Sequence, residues 1–419
     1  MKMSNDERKI KINSVLAEYG QDGLLNFYEQ LSENEKAQLL DELEEIDFSL
    51  MRRLYDMTSQ PVSENISTDV EPISAIVKSS LSDDEKNRLN EIGINELSKG
   101  KMAALTMAGG QGTRLGHTGP KGTFDIGLPS HKSLFEIQCC SLKEASEKAG
   151  CKVPWYIMTS HINHEDTVKF FDEHNYFNYG KENIFFFRQT MIPAVNIDGK
   201  LLLESKYSVL KSPNGNGGLF ESAKNAGIFD HMKQKGVQEI FVCGIDNCLV
   251  KMADPMFLGY FKDSGMMAAA KSFIKRSADE KAAIFCKKNG RPYVIEYTEI
   301  PDTLANMKDD SGVWVYGDTN VLNYIFNIDA AEKLSGEGLS YHIAVKKLNA
   351  IDFVTGEPVQ IPKGYKFELF LFDAFSGLDD LGIFRIEREE EFAPVKNPTG
   401  IDSAESAREM YMKIHKEEA

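Results

Sequence analysis

The chain has 419 residues, with 48 Lys and Arg against 64 Asp and Glu and a formal net charge of −16. Nucleic acid and anionic membrane both repel such a polyanion, so neither is expected as a partner, and any phosphate it binds must enter a local cationic pocket. The six cysteines lack paired metal-type spacing, the opening MKMSNDERKIKINS has no apolar leader core, and no apolar run reaches about 18 residues, so a reduced cytoplasmic protein is expected.

The length is large for one core and predicts two or three domains. In chain order, residues 1–100 read as a helical region. The stretch ENEKAQLLDELEEIDFSLMRRLYDM places Leu39, Leu43, Ile46, Leu50 and Leu54 at three- and four-residue steps. The polar, proline-containing stretch 59–74 reads as an extended connector, and a second helix is expected from Ser82, where Asp83, Asp84 and Glu85 favour its N-terminal dipole. From residue 101 the texture changes. Short apolar runs at 103–107, 155–159, 184–187, 239–244, 267–273, 282–286 and 292–297 read as strands, with helices at 133–149, 165–173 and 255–263 between them. This alternation predicts an α/β fold with a mixed, mostly parallel sheet flanked by helices, and ligand-binding loops at the carboxyl ends of its strands.

The run LTMAGGQGTRLG, followed at once by GPKGTFDIGLPS, is a strand breaking into a glycine-rich loop. Gly109, Gly110, Gly112 and Gly116 let backbone amides close on phosphate oxygens, and Arg114 and Lys121 add fixed charge beside that cradle. An ordinary strand-to-helix turn accounts for the glycines alone. A P-loop needs Gly-Lys followed by Ser or Thr, which Gly112-Thr113-Arg114 does not supply, and an NAD-type fold needs an acidic residue ending a second strand about 20 positions on, a setting Asp125 and Glu136 do not occupy. Asp246 ends the apolar run IFVCGI, where it can hold Mg²⁺ against phosphate or form a turn. SPNGNGGLF is a second glycine-rich turn, with a helix expected from Leu219. Glu296 in VIEYTEI falls on one face of a period-two strand with Val294, as an exposed carboxylate or an acceptor for sugar hydroxyls. Phe370 and Phe372 in FELFLFDAF are core aromatics or ligand wall. His161 and His164 have permissible zinc spacing but no third ligand, and read as surface or capping residues.

These blocks, with QTMIPA at Gln189, GIDNCLVKMADP at Gly244 and FAPVKN at Phe392, occur in one order, and the chain from about residue 105 to 397 resembles the eukaryotic-type UDP-sugar pyrophosphorylases, within them the branch acting on N-acetylglucosamine 1-phosphate. The resemblance implies a Rossmann-like, GT-A-like nucleotidyltransferase domain at 101–390 and a short C-terminal segment, 391–419, carrying Lys396. It implies attack of a sugar 1-phosphate oxygen on the α-phosphorus of UTP, releasing pyrophosphate and forming UDP-N-acetylglucosamine with Mg²⁺, or Mn²⁺ in its place. In that picture Arg114, Lys121 and Lys396 serve the phosphates and Asp246 the metal. Gln189 reads uracil, helped by backbone groups of the loop from Leu105 to Gly110, and Leu105, Ala108, Gly109, Gly110, Gly112, Thr113 and Gly215 belong with it to the nucleotide site. Asn216, Gly217, Glu296, Asn320, Phe370 and Phe372 form the sugar pocket, and asparagine rather than histidine at 216 favours an N-acetyl sugar. Gly317-Asp318-Thr319-Asn320 departs from the family's asparagine-alanine-glycine-asparagine, so only Asn320 carries over. The family's further C-terminal domain is not seen after Lys396, and a monomer is the expected state. The alternatives are a glucose 1-phosphate or broad-specificity pyrophosphorylase and, more distantly, a non-catalytic UDP-sugar sensor. A glycosyltransferase would show Asp-x-Asp where this chain reads Ile245-Asp246-Asn247.

Overall fold

The computed structural model describes residues 3–59, 69–335 and 339–416. The chain forms two compact units that interleave along the sequence: one holds residues 1–64, 190–217 and 339–370, the other 65–189, 218–338 and 371–419. This division differs from the sequential 1–100, 101–390 and 391–419. The helix Asp83–Ser98 and the C-terminal segment both join the larger unit, because their apolar faces pack into its core: Leu89, Leu97, Val395 and Tyr411 all belong to one buried cluster.

In the first unit, three helices start at short polar side chains that satisfy their free amides. Ser4 and Ser32 form reciprocal capping boxes with Glu7 and Glu35 ahead of Asn5–Tyr19 and Glu33–Glu44, and Asp47 caps Phe48–Thr58. The periodic stretch expected as one helix is therefore two, because the Asp47 side chain accepts from the Leu50 N–H and restarts the helix. Leu39, Leu43 and Leu54 are buried with Ile192, Val195 and Phe367, and Tyr341–Ile351 pairs antiparallel with Pro358–Leu369 in a long hairpin. Of the expected connector 59–74, residues 60–68 lie outside those described, and Val70–Pro72 in the larger unit is a strand pairing with Ile284–Lys288.

The larger unit is built on a mixed sheet. Along its main path the order is Ala75–Val77, Gly382–Arg385, Ala268–Ile274, Asp318–Asn327, Glu239–Gly244, Met102–Met107, Trp155–Thr159 and Ile184–Arg188. Neighbours run parallel except at Asp318–Asn327, which is antiparallel to both of its own. Every residue of Met102–Met107 and Glu239–Gly244 is buried, which is why, Thr106 and Glu239 apart, these strands read as apolar runs. The helices Asp83–Ser98, Leu134–Ala149 and Pro255–Ser264 bury Leu89, Phe135, Leu142 and Phe257 against them.

The helices and strands of this unit that the sequence predicted match to within a few residues at each end, whereas the helices Ile228–Gln234, Ile328–Leu334 and Ala404–Ile414 were not expected. Three of its main-path strands, Ala75–Val77, Asp318–Asn327 and Gly382–Arg385, were not among the runs expected as strands. One expectation is corrected: the strand Arg291–Ile295 stops before Glu296, whose carbonyl accepts from the Glu299 and Ile300 amides, so Glu296 sits on a turn and shares no strand face with Val294.

Candidate functional site

The parallel strands Met102–Met107 and Glu239–Gly244 end side by side, with Met107 paired to Gly244, and each releases one half of the site from the same edge. After Met107 the glycine loop turns away from the sheet. Its amide at Gly112 donates to the Gly119 carbonyl (3.0 Å) and the Lys121 amide donates to the Gly110 carbonyl (3.1 Å), which folds the Lys121 segment back along the loop. The amide hydrogens of Gly109 and Gly110 have no acceptor among the described residues, as a phosphate cradle requires. After Gly244 comes Asp246.

Three of the expected residues meet there. Lys121 Nζ lies 3.9 Å and Lys396 Nζ 3.7 Å from Asp246 Oδ2. Burial, chiefly, pulls the Lys121 ammonium below the ordinary lysine range; Asp246 opposes that, and the nearby charges of Lys396 and Arg114 reinforce it. Two cations on one carboxylate, with Arg114 close by, leave the spot net positive in a chain of charge −16. It is the local cationic pocket that the overall charge demanded. Lys396 reaches it because the Val395 amide donates to the Asp246 carbonyl (2.8 Å), laying the C-terminal segment against the end of the central strand.

Asn320 shares a small hollow of about 50 Å³ with Gly244, Asp246 and Lys396. Its Oδ1 is already taken, accepting from the Leu322 amide (3.1 Å) and the Tyr324 hydroxyl (2.6 Å), and this holds Leu322 at a φ of 55°. The amide is thereby oriented so that Nδ2 is its group for a ligand. Burial, and then the charge of Glu296, raise the Tyr324 hydroxyl, so Glu296 lies near the same ring–amide pair.

Gln189 ends the strand Ile184–Arg188 and is 7 % exposed. Its amide N–H donates to the Thr159 carbonyl (2.8 Å), and its side chain lies over Gly109, where a Cβ would stand 2.4 Å from Gln189 Oε1. Only glycine lets this side chain lie there. Gly109→Ala is expected to push Gln189 aside and raise the KM for UTP about 10-fold with little change in melting temperature, in steady-state kinetics with UTP varied.

The remaining expected residues have the following local settings. Leu105 is interior to its strand, paired in register with Val242 and Tyr156, so the loop proper begins at Ala108. Thr113 and Arg114 are exposed on a single turn of 3₁₀ helix. Phe372 is a buried residue of the turn Leu371–Gly377 in the larger unit. Gly215, Asn216, Gly217 and Phe370 belong to the first unit. There the turn lies flat on the end of Pro358–Leu369: the Leu369 amide donates to the Asn214 carbonyl (3.0 Å), and a Cβ on Gly215 or Gly217 would stand 2.3 and 2.6 Å from Leu369 atoms. Phe370 packs on His342 with ring centres 4.4 Å apart. His164 is a helix-start residue bonded to Thr159 Oγ1 (2.7 Å).

Two supporting side chains escaped the sequence analysis. Asn163 is fully buried and donates to the carbonyls of Ala108 (2.8 Å) and Gly110 (3.2 Å), pinning the glycine loop. Gln138 donates to the Gly244 carbonyl (2.8 Å) and accepts from Thr106 (3.0 Å), tying together the two strands that carry the site. Neither lies in a motif; a polar amide within an otherwise apolar helical face was the only signal for Gln138.

A family model described as UTP--glucose-1-phosphate uridylyltransferase matches residues 48–408. The chain belongs to that family. It is 36% identical over 424 residues to the UDP-N-acetylglucosamine pyrophosphorylase of Saccharomyces cerevisiae, covering 96% of this chain and 89% of that one. It is 35% identical over 430 residues to UDP-N-acetylglucosamine diphosphorylase 2 of Arabidopsis thaliana, covering 96% and 82%. Among solved structures, the uridine diphosphate N-acetylglucosamine pyrophosphorylase of Trypanosoma brucei superposes with a TM-score of 0.82 at 29% identity, covering 99% of this chain and 85% of that one.

Proposed function

We propose that this chain transfers the uridylyl group of UTP to N-acetylglucosamine 1-phosphate and releases pyrophosphate. The observation that carries the reading is the convergence of Lys121 and Lys396 on Asp246 at the end of the central strand, beside a loop whose Gly109 and Gly110 amides have no acceptor among the described residues. In this reaction a phosphate oxygen of the sugar forms one P–O bond to the α-phosphorus, and the bond to the pyrophosphate leaving group breaks. One anhydride replaces another, so the protein has to align two polyanions and neutralise the charge that gathers on the transferred group.

The loop amides and Arg114 take the triphosphate; Lys121 and Lys396 flank the transferred phosphate. Gln189 offers uracil a donor and an acceptor, and Asn320 Nδ2 donates to a sugar oxygen. Asn216 and Phe370 read the acetamido group, with Glu296 accepting from ring hydroxyls.

Among the described residues no three His, Cys, Asp or Glu side chains gather to hold a metal by themselves. Asp246 fits Mg²⁺, or Mn²⁺, in the way that such ions use one carboxylate and borrow the remaining ligands from phosphate and water. Two lysines within 4 Å repel a bare dication, so the ion is expected to arrive with the nucleotide. Bound there it supplies positive charge to phosphate oxygens.

Six cysteines are free, which agrees with a cytoplasmic enzyme. Among the described residues no helix is long and apolar enough to cross a membrane.

The test is pyrophosphate release from UTP with N-acetylglucosamine 1-phosphate or glucose 1-phosphate, each with Mg²⁺, Mn²⁺ or EDTA. Metal-dependent release preferring the N-acetyl sugar is expected. Asn216→Ala should then raise the KM for the sugar phosphate about 10-fold and leave that for UTP unchanged, the loss of one hydrogen bond to ligand. Equal use of glucose 1-phosphate would overturn the sugar assignment, and no release with either sugar would overturn the reaction.

A further inference from the structure

Lys396 lies on a segment with no regular secondary structure, half exposed, and yet it stands within 4 Å of a carboxylate on the central strand's loop. Something must hold that segment in place, because a free loop lysine samples many positions and loses the entropy of ordering each time it acts. The Lys396 amide itself donates to the Asp402 carbonyl (2.7 Å), and upstream of it two further sets of contacts act. Far from Lys396, at the start of the segment, Glu391 is fully buried, and its carboxylate is ringed by Lys271 (2.5 Å), Lys78 (3.0 Å) and Lys251 (3.2 Å). Between that anchor and Lys396 the loop after the central strand grips the segment with two side chains, Cys248 Sγ on the Ala393 carbonyl (3.3 Å) and Asn247.

Asn247 is 7 % exposed and uses both arms of its amide. Nδ2 donates to the Glu391 carbonyl (2.7 Å), while Oδ1 accepts from the Ala393 amide (2.9 Å) and from the Leu249 amide on its own loop (3.1 Å). Around it the backbones join as well: Asn247 bridges to Pro394, the Cys248 amide donates to the Ala393 carbonyl (3.2 Å), and the Val395 amide donates to the Asp246 carbonyl (2.8 Å). The side chain thus grips the segment at 391 and 393, and its own peptide is next to Asp246. An aspartate could not donate to the Glu391 carbonyl, and a serine could not span from 391 to 393; the geometry asks for a carboxamide.

We propose that Asn247 is a positioning residue for the transfer: it fixes the distance between Lys396 and Asp246, so that the lysine and the carboxylate meet the same phosphate as a preformed pair. The proposal rests on the reading of Lys396 as a phosphate ligand.

A double-mutant cycle on turnover tests it, with pyrophosphate release measured over a range of UTP up to saturation at saturating N-acetylglucosamine 1-phosphate for wild type, Asn247→Ala, Lys396→Ala and the double variant. Lys396→Ala is expected to lower kcat about 100-fold as a charge on the transferred phosphate is lost. Asn247→Ala, which leaves the lysine present but misplaced, should lower kcat about 30-fold with the KM for UTP unchanged. In the double variant the loss should stay within about 2-fold of that for Lys396→Ala alone, since Asn247 has then nothing left to place. A residue that merely stabilised the fold would give losses that multiply, or a fall in melting temperature at unchanged kcat, and either outcome overturns the proposal. Wild-type turnover in Lys396→Ala would instead overturn the reading of the lysine itself. If Asn247→Ala does not fold, Asn247→Ser, whose short hydroxyl cannot span from 391 to 393, enters the same cycle with the same expectations.

Discussion

Replacing Lys121 with alanine is expected to lower turnover by about 10²- to 10³-fold while the melting temperature stays within about 2 °C of wild type. The side chain is largely shielded from water, 17% exposed, and its ammonium stands beside a carboxylate, a second lysine and an arginine. Burial pulls its pKa down, which means that the folded protein holds this charge at a cost. A dianionic phosphate entering the pocket relieves the cost, and a phosphoryl group in transfer relieves it most, so the interaction is strongest where the rate is decided. Removing the lysine also removes a source of charge crowding, which is why no loss of stability is expected. Steady-state kinetics with both substrates and a thermal melt check the two halves; near-normal turnover would take Lys121 out of the reaction, and a large fall in melting temperature would make it a structural residue.

The second large effect is on stability. Lys271 is wholly buried on the strand Ala268–Ile274, between Asp254 (2.6 Å) and Glu391 (2.5 Å). Burial alone would lower its pKa; the two carboxylates more than reverse that and raise it. For Glu391, burial alone would raise the carboxyl, and the charges of Lys271, Lys251 and Lys78 outweigh it and hold the group below the usual carboxylate range. Lys271→Met removes the central cation and leaves two carboxylates short of a partner, at an expected cost of about 3–5 kcal/mol. For a chain of 419 residues that is a fall in melting temperature of about 3–6 °C.

The sign of its pH dependence follows. A carboxyl held below its unfolded value of about 4.3 contributes stability that is present above that pH and is lost as pH falls through the native value. In Lys271→Met the native value rises, so protonating Glu391 no longer opposes folding. The stability gap between wild type and variant is therefore expected to narrow from about pH 6 to about pH 3. Denaturant melts at several pH values measure it, and a gap that does not change with pH would show that the cluster is not held by its charges.

How much of this was legible beforehand differs from element to element. The strands Met102–Met107 and Glu239–Gly244 were plain, because both of their faces are buried and almost every position had to be apolar; Glu239, at a strand end, is buried against Lys262. The helix Asp83–Ser98 was plain because Ser82 and Glu85 form its capping box in consecutive sequence. Asp318–Asn327 was not, since a bulge shifts its register between Ala270 and Ser272 of its neighbour and Leu322 sits at positive φ, which breaks the period of two. Ala75–Val77 is three residues long and owes its extended form to Gly382–Arg385, a partner far along the chain. The glycine loop announced its chemistry through residue types alone. Gln138 and Asn163, which hold that loop and the strand ends in place, did not, because one amide in a helix face is compatible with many partners.

By itself the sequence determined the chemistry on offer: the alternating elements, the cationic glycine loop, and a lone aspartate at the end of an apolar run. Local rules suffice for these, because capping, periodicity and a turn's need for glycine act over a few residues. Only the tertiary structure decided that Lys121, Asp246 and Lys396 share one pocket and that Glu391 anchors the last of them. Such contacts arise from hydrogen bonds and burial between segments that the chain separates widely, where no local preference records the partner. The interleaving of the two units was decided in the same way: the helices at the start of the chain bury Leu39 and Leu43 with Ile192 and Phe367, and nothing in the spacing of those leucines says which distant apolar residues will cover them.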